Sequence, residues 1–571
     1  MNEPELKEFP RTFLPEHLDL GDWGSVEPWF RELLEHPIES VPELERWLLD
    51  WSELQACLSE ERARRYIAMT VNTEDKKAER AYLDMIELFM PEAKPWLHKL
   101  NEKYVACPVR SQLDPARYAV LDRDIEAQIE LFRQENIELQ TQASVLSQQY
   151  QKVTGVMTVQ FQGQERTMPQ MAKFIEETDR ALRQRAWEAT SERRLRDREQ
   201  LDQIFDDLVS LRHRIARNAD CADYREYTFK AYGRFDYTPE DCLDFHRAVE
   251  RTVMPLVRDL AAQRREALGL ESLRSWDYAV DVLGRAPLRP FQEAEELVQG
   301  VRRIVGRLDT DLEAQFAEMV RRGELDLESR RGKAPGGYQS SLEEVRRPFI
   351  FMNAAGVHRD VETLLHESGH AFHALAARHE PLVDYRHAPI EFAEVASMTM
   401  ELFADDLLEE FYPAADAARA KRKHLEGIIG LLPWIARVDA FQHWIYTHPG
   451  HSRQDRCDTW LELEERFEPP TDWSDYQPQR ESLWQRQLHI YCYPFYYIEY
   501  GIAQLGALQI WDTFLRQPER ALKQYRGALA LGGTKPLPEL FAAAGARFSF
   551  DEQTIGPLIE RVSEELAGLP A

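Results

Sequence analysis

The stretch Val361-Glu362-Thr363-Leu364-Leu365-His366-Glu367-Ser368-Gly369-His370-Ala371-Phe372-His373 holds the residue types and spacing for metal-assisted hydrolysis. It reads as a helix, with no proline inside and with Val361, Leu364, Leu365 and Phe372 at helical spacing. His366 and His370 stand four apart, so they lie one turn above each other on one face. Two imidazoles can converge there on one zinc ion. Glu367, beside them, can take a proton from a zinc-bound water. The pattern H-E-x-x-H arises by chance in a chain of this size on the order of a few per cent of the time. The bland alternative is a surface helix with two solvated histidines. The apolar flanks argue for burial instead. Gly369 inside a helix costs about 1 kcal/mol relative to Ala, which is explicable where something packs closely against it.

A third ligand is needed. The extension H-E-x-x-H-x-x-G-x-x-H fails here, because Ala371-Phe372-His373 follow and Ala376 stands where its last His would be. His373 reads as a packing histidine or one that orients a ligand. A later helical stretch, Glu391 to Leu402, places Glu391, Glu394, Ser397, Met398 and Glu401 along one stripe. Glu394 is bracketed by small and apolar residues, and a buried carboxylate is costly unless paired or metal-bound. Glu394 is therefore the expected third ligand. Glu391 and Glu401 read either as carboxylates that orient a ligating histidine or as surface groups.

The segment Leu488 to Gly501 is rich in aromatic residues and contains His489. Tyr493, Tyr497 and Tyr500, spaced four and three apart, are expected on one helix face. A Tyr O–H or His N–H can donate to the oxyanion that forms when a carbonyl is attacked. An aromatic core stripe is the bland alternative.

Other elements must position these groups. Residues 1–110 read as helices broken by prolines. Ala119 to Val153 has no Gly or Pro and predicts a spine helix or a helical hairpin. Val156 to Met168 alternates, with Gly163 at the turn, and predicts a β-hairpin. Thr238 is a candidate N-cap with Pro239 after it, opening a helix that runs towards Leu268. Arg331 to Tyr338 reads as the most flexible stretch. Pro348 to Asn353 is expected to be a strand whose edge could hold an extended peptide. The remainder to Ala571 reads as helical. The fold class is mainly α, with a small β element close to the zinc helix.

The 571 residues suffice for more than one lobe, and a formal net charge of -28 repels nucleic acid and anionic membranes. Cationic peptides would be attracted. The six cysteines are scattered without a C-x-x-C pair, which suits free thiols in a reducing compartment. No signal peptide and no run of about 18 apolar residues is legible, so a cytoplasmic location is expected.

Taken together, Pro335-Gly336-Gly337-Tyr338, Pro348 to Asn353, the His366 to His373 helix, Glu391 to Leu402, Phe441-Gln442-His443-Trp444 and His489 to Gly506 resemble the M3 family of zinc metallopeptidases, in its oligoendopeptidase F and Pz-peptidase branch. The resemblance is close over residues 330–510 and loose over the N-terminal helices. It implies a two-lobed, clam-like helical fold with a deep channel. A helical N-terminal lobe region would span 1–180 and a catalytic region 181–571. It implies one Zn²⁺ per chain on His366, His370 and Glu394, with Glu367 as general base. It further implies that His489 and Tyr493, Tyr497 and Tyr500, with Tyr496 as fallback, bind substrate and stabilise the transition state. Short peptides would be the substrates and internal bonds the point of attack, in a monomer or homodimer. The rivals are a related helical zinc carboxypeptidase and a catalytically inert peptide-binding protein.

Overall fold

The computed structural model describes residues 8–330, 332–334 and 336–570. Of the stretch expected to be most flexible, Arg331 and Pro335 lie outside the described residues. Helices dominate, joined by five short strands among the described residues. The elements that position the site are α1 (Val41–Val71), α2 (Pro115–Leu131), α3 (Asn136–Gly155), β1 (Thr158–Phe161), β2 (Gln164–Thr167), α4 (Pro239–Thr252), β3 (Leu325–Glu328), β4 (Tyr338–Leu342), β5 (Arg347–Ala354), α5 (His358–Ala377), α6 (Ile390–Ala404), α7 (Ala414–Thr447) and α8 (Tyr497–Arg516).

Local sequence explains most boundaries. The Thr238 hydroxyl accepts from the Asp241 N–H, and the Asp241 carboxylate accepts from the Thr238 N–H, so both ends of a capping box are present, with Pro239 opening α4. That helix stops at Thr252 rather than near Leu268, and a second helix starts at Met254 with Pro255 in its first turn. The predicted hairpin forms as β1 and β2, turned by Gln162 and Gly163 at φ 51° and 75°. The long pattern from Ala119 to Val153 is two helices, α2 and α3. No Gly or Pro marks the break. Phe132 takes an extended backbone there and stacks on His98 with ring centroids 3.8 Å apart, so packing ends the helix.

The predicted strand is β5, but its edge is not free. It lies in the middle of a three-stranded sheet, parallel to β3 and antiparallel to β4. An added peptide strand would have to pair with β3 or β4 instead. Tyr338 on β4 shares a 2.7 Å hydrogen bond with Thr70 on α1, tying the sheet to the N-terminal helices.

Buried apolar residues gather in two main cores. One runs from Leu14 to Ile125 and also takes in Leu382 and Tyr385. The Tyr385 hydroxyl donates to the Arg117 carbonyl at 2.6 Å. The other core holds the catalytic-motif helices and the C-terminal helices. Within it α5 crosses α6 at Gly369, where a Cβ would stand 2.6 Å from Ser397 Cα and 2.7 Å from the Ala396 carbonyl oxygen. That contact accounts for a glycine at this helical position and presses the two motif-bearing helices together. All six cysteines are free. Among the described residues no helix is long and apolar enough to cross a membrane.

Candidate active site

The close crossing of α5 and α6 brings three donors to one point. The rings of His366 and His370 lie 4.9 Å apart at 82°. Glu394 Oε2 is 3.3 Å from His366 Nε2 and 3.5 Å from His370 Nε2. One donor atom from each of the three residues lies within 4.8 Å of the others. Burial alone would raise the Glu394 pKa, but the two histidines outweigh it and hold the carboxylate well below its ordinary range. Two imidazole nitrogens and an ionised carboxylate form a donor set that suits zinc.

The far nitrogen of His366 is also fixed. Its Nδ1 lies 2.6 Å from Glu401 Oε1, which leaves Nε2 facing inward. Glu401 in turn lies 3.5 Å from His424, and His424 Nδ1 is 2.8 Å from Asp405. The hydrogen bonds to His366 and His424 overcome burial and pull the Glu401 pKa down to about 2. Of the two helix carboxylates, Glu401 is thus the one that holds His366. Glu391 accepts from the Tyr237 hydroxyl at 2.6 Å and is not among the converging donors. His373 is buried against Phe392, its Nε2 has no hydrogen-bond partner, and burial pushes its pKa down to about 3. It too lies outside the donor cluster. Glu367 is buried beside the histidines, and burial raises its pKa.

The aromatic wall differs from the expected helix face. The helix α8 begins only at Tyr497, and Tyr493 precedes a reversal at Phe495, whose φ is +66°. A bulky residue in that region is strained and must be held. Gln442 Oε1 accepts the Phe495 N–H at 2.8 Å, and Arg234 donates to the Phe495 carbonyl and, at 2.7 Å, to Glu499. The reversal separates Tyr493 from Tyr497 and Tyr500, and it turns Tyr496 inward. The Tyr496 hydroxyl donates to Glu394 Oε1 at 2.9 Å. Tyr493 is 45% exposed, Tyr497 is buried with its ring 5.0 Å from that of His489, and the Tyr500 hydroxyl is 3.4 Å from His489 Nε2.

The protonation of His489 follows from its neighbours. Trp434 Nε1–H can only donate, and it lies 3.1 Å from Gln487 Oε1. That orients the amide so that Gln487 Nε2 donates to His489 Nδ1 at 2.8 Å. An accepting Nδ1 leaves the proton of the neutral ring on Nε2, facing Tyr500. Burial keeps the ring neutral by pushing its pKa down to about 4. Sequence reasoning did not single out Trp434, Gln487, Arg234 or His424. Gln442 entered only as part of a matched segment. None of them lies in a spacing pattern with the ligands, and only tertiary contacts reveal what they hold.

A helix-borne H-E-x-x-H pair joined by a glutamate from the next long helix defines a helical metallopeptidase class. A model of Peptidase family M3 matches residues 173–556, and a model of the Peptidase M3 N-terminal domain matches residues 17–132; the chain belongs to peptidase family M3. Oligopeptidase PepF of Bacillus subtilis is 23% identical over 325 residues, covering 55% of this chain and 47% of PepF. An oligoendopeptidase F homolog of Borreliella burgdorferi is 25% identical over 304 residues, covering 50% of this chain and 49% of that protein. The matched stretch thus spans about half the length of these curated relatives. The solved structure of PZ peptidase A with an inhibitor superposes with a TM-score of 0.92 at 28% identity, covering 98% of this chain and 99% of that one.

Proposed function

We propose that the protein is a zinc-dependent oligoendopeptidase that hydrolyses internal bonds of short, unstructured peptides. The observation that carries this reading is the convergence of His366, His370 and Glu394, with Glu367 on the same helix. These three residues would hold one Zn²⁺, which when bound supplies Lewis acidity to a water and to the scissile carbonyl. Glu367 takes the proton of the attacking water. Its raised proton affinity suits a group that accepts a proton and then returns it to the leaving amine as the C–N bond breaks. His489 presents its Nε2–H as a donor for the carbonyl oxygen while that oxygen gains negative charge. Tyr496, whose hydroxyl reaches Glu394, and Tyr500, whose hydroxyl reaches His489 Nε2, share that task. Tyr497 backs His489, and the exposed Tyr493 is offered to the substrate chain.

In this reading residues 1–180 form a lobe that closes a channel over residues 181–571, admitting short peptides and excluding folded proteins. The net charge of -28 favours cationic peptides, and six free cysteines suit a reducing, cytoplasmic workplace. The test is mass spectrometry of peptides from about five to 40 residues incubated with the protein, with and without a chelator. Internal cuts that stop above a length limit and vanish with chelator are expected. Stepwise trimming from the C-terminus would indicate a carboxypeptidase instead. A zinc-loaded protein that cuts nothing would indicate an inert binding protein.

A further inference from the structure

Arg234 stands on the loop that leads into α4, and its side chain has no exposure to solvent. The guanidinium lies among the rings of Phe229, Tyr232 and Tyr237, at 4.7, 5.2 and 5.5 Å from their centroids. Its Nη2 donates twice, to the Phe495 carbonyl at 2.5 Å and to Glu499 Oε1 at 2.7 Å. Its Nε lies 3.9 Å from Glu391 Oε1. Glu391 and Glu499 are themselves buried, and no other cation pairs with either among the described residues. Arg234 Nε and Nη1 and Glu499 Oε2 make no hydrogen bond.

A buried ion pair left partly unsatisfied is a poor source of stability, since apolar groups of similar volume often serve as well. The places of its partners point to a different use. Glu391 stands three residues before Glu394 on α6, and Glu499 stands three residues after Tyr496 on α8. Each carboxylate is therefore one helical turn from one member of the Tyr496–Glu394 hydrogen bond. The remaining contact is the carbonyl of Phe495, the residue just before Tyr496, at the positive φ that turns Tyr496 inward. One guanidinium thus braces both sides of the pair that joins the aromatic wall to the converging donors. We propose that Arg234 is a positioning residue, which keeps the Tyr496 hydroxyl at Glu394 by bracing α6 against the Phe495 reversal and α8. It is not among the converging donors, and it acts on the reaction through the phenol it places. Glu391 serves as the α6 end of the brace. A lysine could not replace the planar fork, because one nitrogen cannot face Glu391 and also reach Phe495 and Glu499. The proposal rests on the peptidase reading and names a residue that sets the geometry of its site.

The test compares the zinc-loaded full chain with Arg234→Lys, Tyr496→Phe and the double variant on one internally cleaved peptide. Lysine keeps a cation between the two carboxylates. Arg234→Lys should lower kcat by roughly 10-fold with KM within about threefold, and Tyr496→Phe should lower it by roughly 10- to 100-fold. The double variant should be no slower than Tyr496→Phe alone, because both changes remove one effect. Losses that multiply, a change confined to KM, or wild-type kcat in Arg234→Lys would overturn the proposal. A second measurement needs no turnover. The protein is made with 3-fluorotyrosine at position 496 and its ¹⁹F resonance is recorded. Arg234→Lys should shift or broaden that resonance, and Glu391→Gln, which loosens only the α6 end, should move it less. A resonance that neither variant moves would overturn the brace. A moved resonance in a protein whose wild type cuts no peptide would sink the peptidase reading and keep the brace.

Discussion

Two clusters in this molecule hold metal-type donors at matching closeness: His366, His370 and Glu394, and Cys242, Asp439 and His443. Both draw on a pair of helices, and in each a carboxylate stands between imidazoles. They differ in which lone pairs are free. In the second cluster His246 Nε2 donates to Asp439 at 2.8 Å. Arg225, which can only donate, lies 3.5 Å from His443 Nδ1, so the proton of a neutral His443 sits on Nε2, which is 3.3 Å from Asp439. Asp439 is fully buried, accepts from His246, and has the His443 Nε2 nitrogen 3.3 Å away without a hydrogen bond between them. In the first cluster the far nitrogen of His366 is held by a carboxylate instead, which leaves its Nε2 lone pair facing inward. Its histidines are only partly buried, and Glu367 is adjacent. Residue types do not make a metal site; the partner of the remote nitrogen and access to solvent decide it.

That contrast can be broken most severely at Glu367. Glu367→Gln should keep one zinc per chain and lose about 10²- to 10⁴-fold in kcat, read by metal analysis beside steady-state kinetics. Near-normal turnover would remove Glu367 as the base. Next is the donor wall. Gln487→Glu places an acceptor on His489 Nδ1, moves the proton away from Nε2, and should lower kcat by roughly 10²-fold with little change in KM. A change confined to KM would make His489 a binding group only.

Smaller effects sharpen the difference between the clusters. Glu401→Gln should weaken zinc binding about 10- to 100-fold in a competition assay with a chromogenic chelator. Asp439→Asn should leave zinc affinity unchanged and lower stability by roughly 1–3 kcal/mol in urea unfolding, because the buried His246 N–H exchanges a charged acceptor for a weaker neutral one. Zinc loss from Asp439→Asn would erase the distinction. The smallest shift is in pH. Glu367 must be ionised to act, and burial raises its pKa, so the acid limb of kcat/KM should fall at a higher pH than an exposed glutamate would give. In Glu367→Asp the limb should move while the alkaline limb stays.

The convergence of His366, His370 and Glu394 was legible because much of it is local: four residues set His366 against His370, and a buried-charge argument selected Glu394 on the next long helix. The glycine at 369 was legible for the same reason, as a cost that demanded a close neighbour. The strand at Pro348 to Asn353 was legible, but its place in the middle of the sheet was not, since β3 and β4 carry no signal for their pairing. The tyrosine register failed at one residue. Helical spacing assumes a continuous helix, and the positive φ of Phe495 is imposed by Gln442 and Arg234, distant in sequence. The place of the break between α2 and α3, which the helical-hairpin alternative allowed, was not legible, because a stacking contact with His98 rather than a Gly or Pro ends α2.

The most direct measurement is a zinc titration of the chelator-stripped protein, following internal cleavage of one peptide by mass spectrometry. Activity should be absent after stripping, return with added zinc, and level off at about one zinc per chain, with no recovery in His370→Ala. Cleavage that survives stripping, or that recovers in His370→Ala, would contradict a hydrolytic centre built on His366, His370 and Glu394.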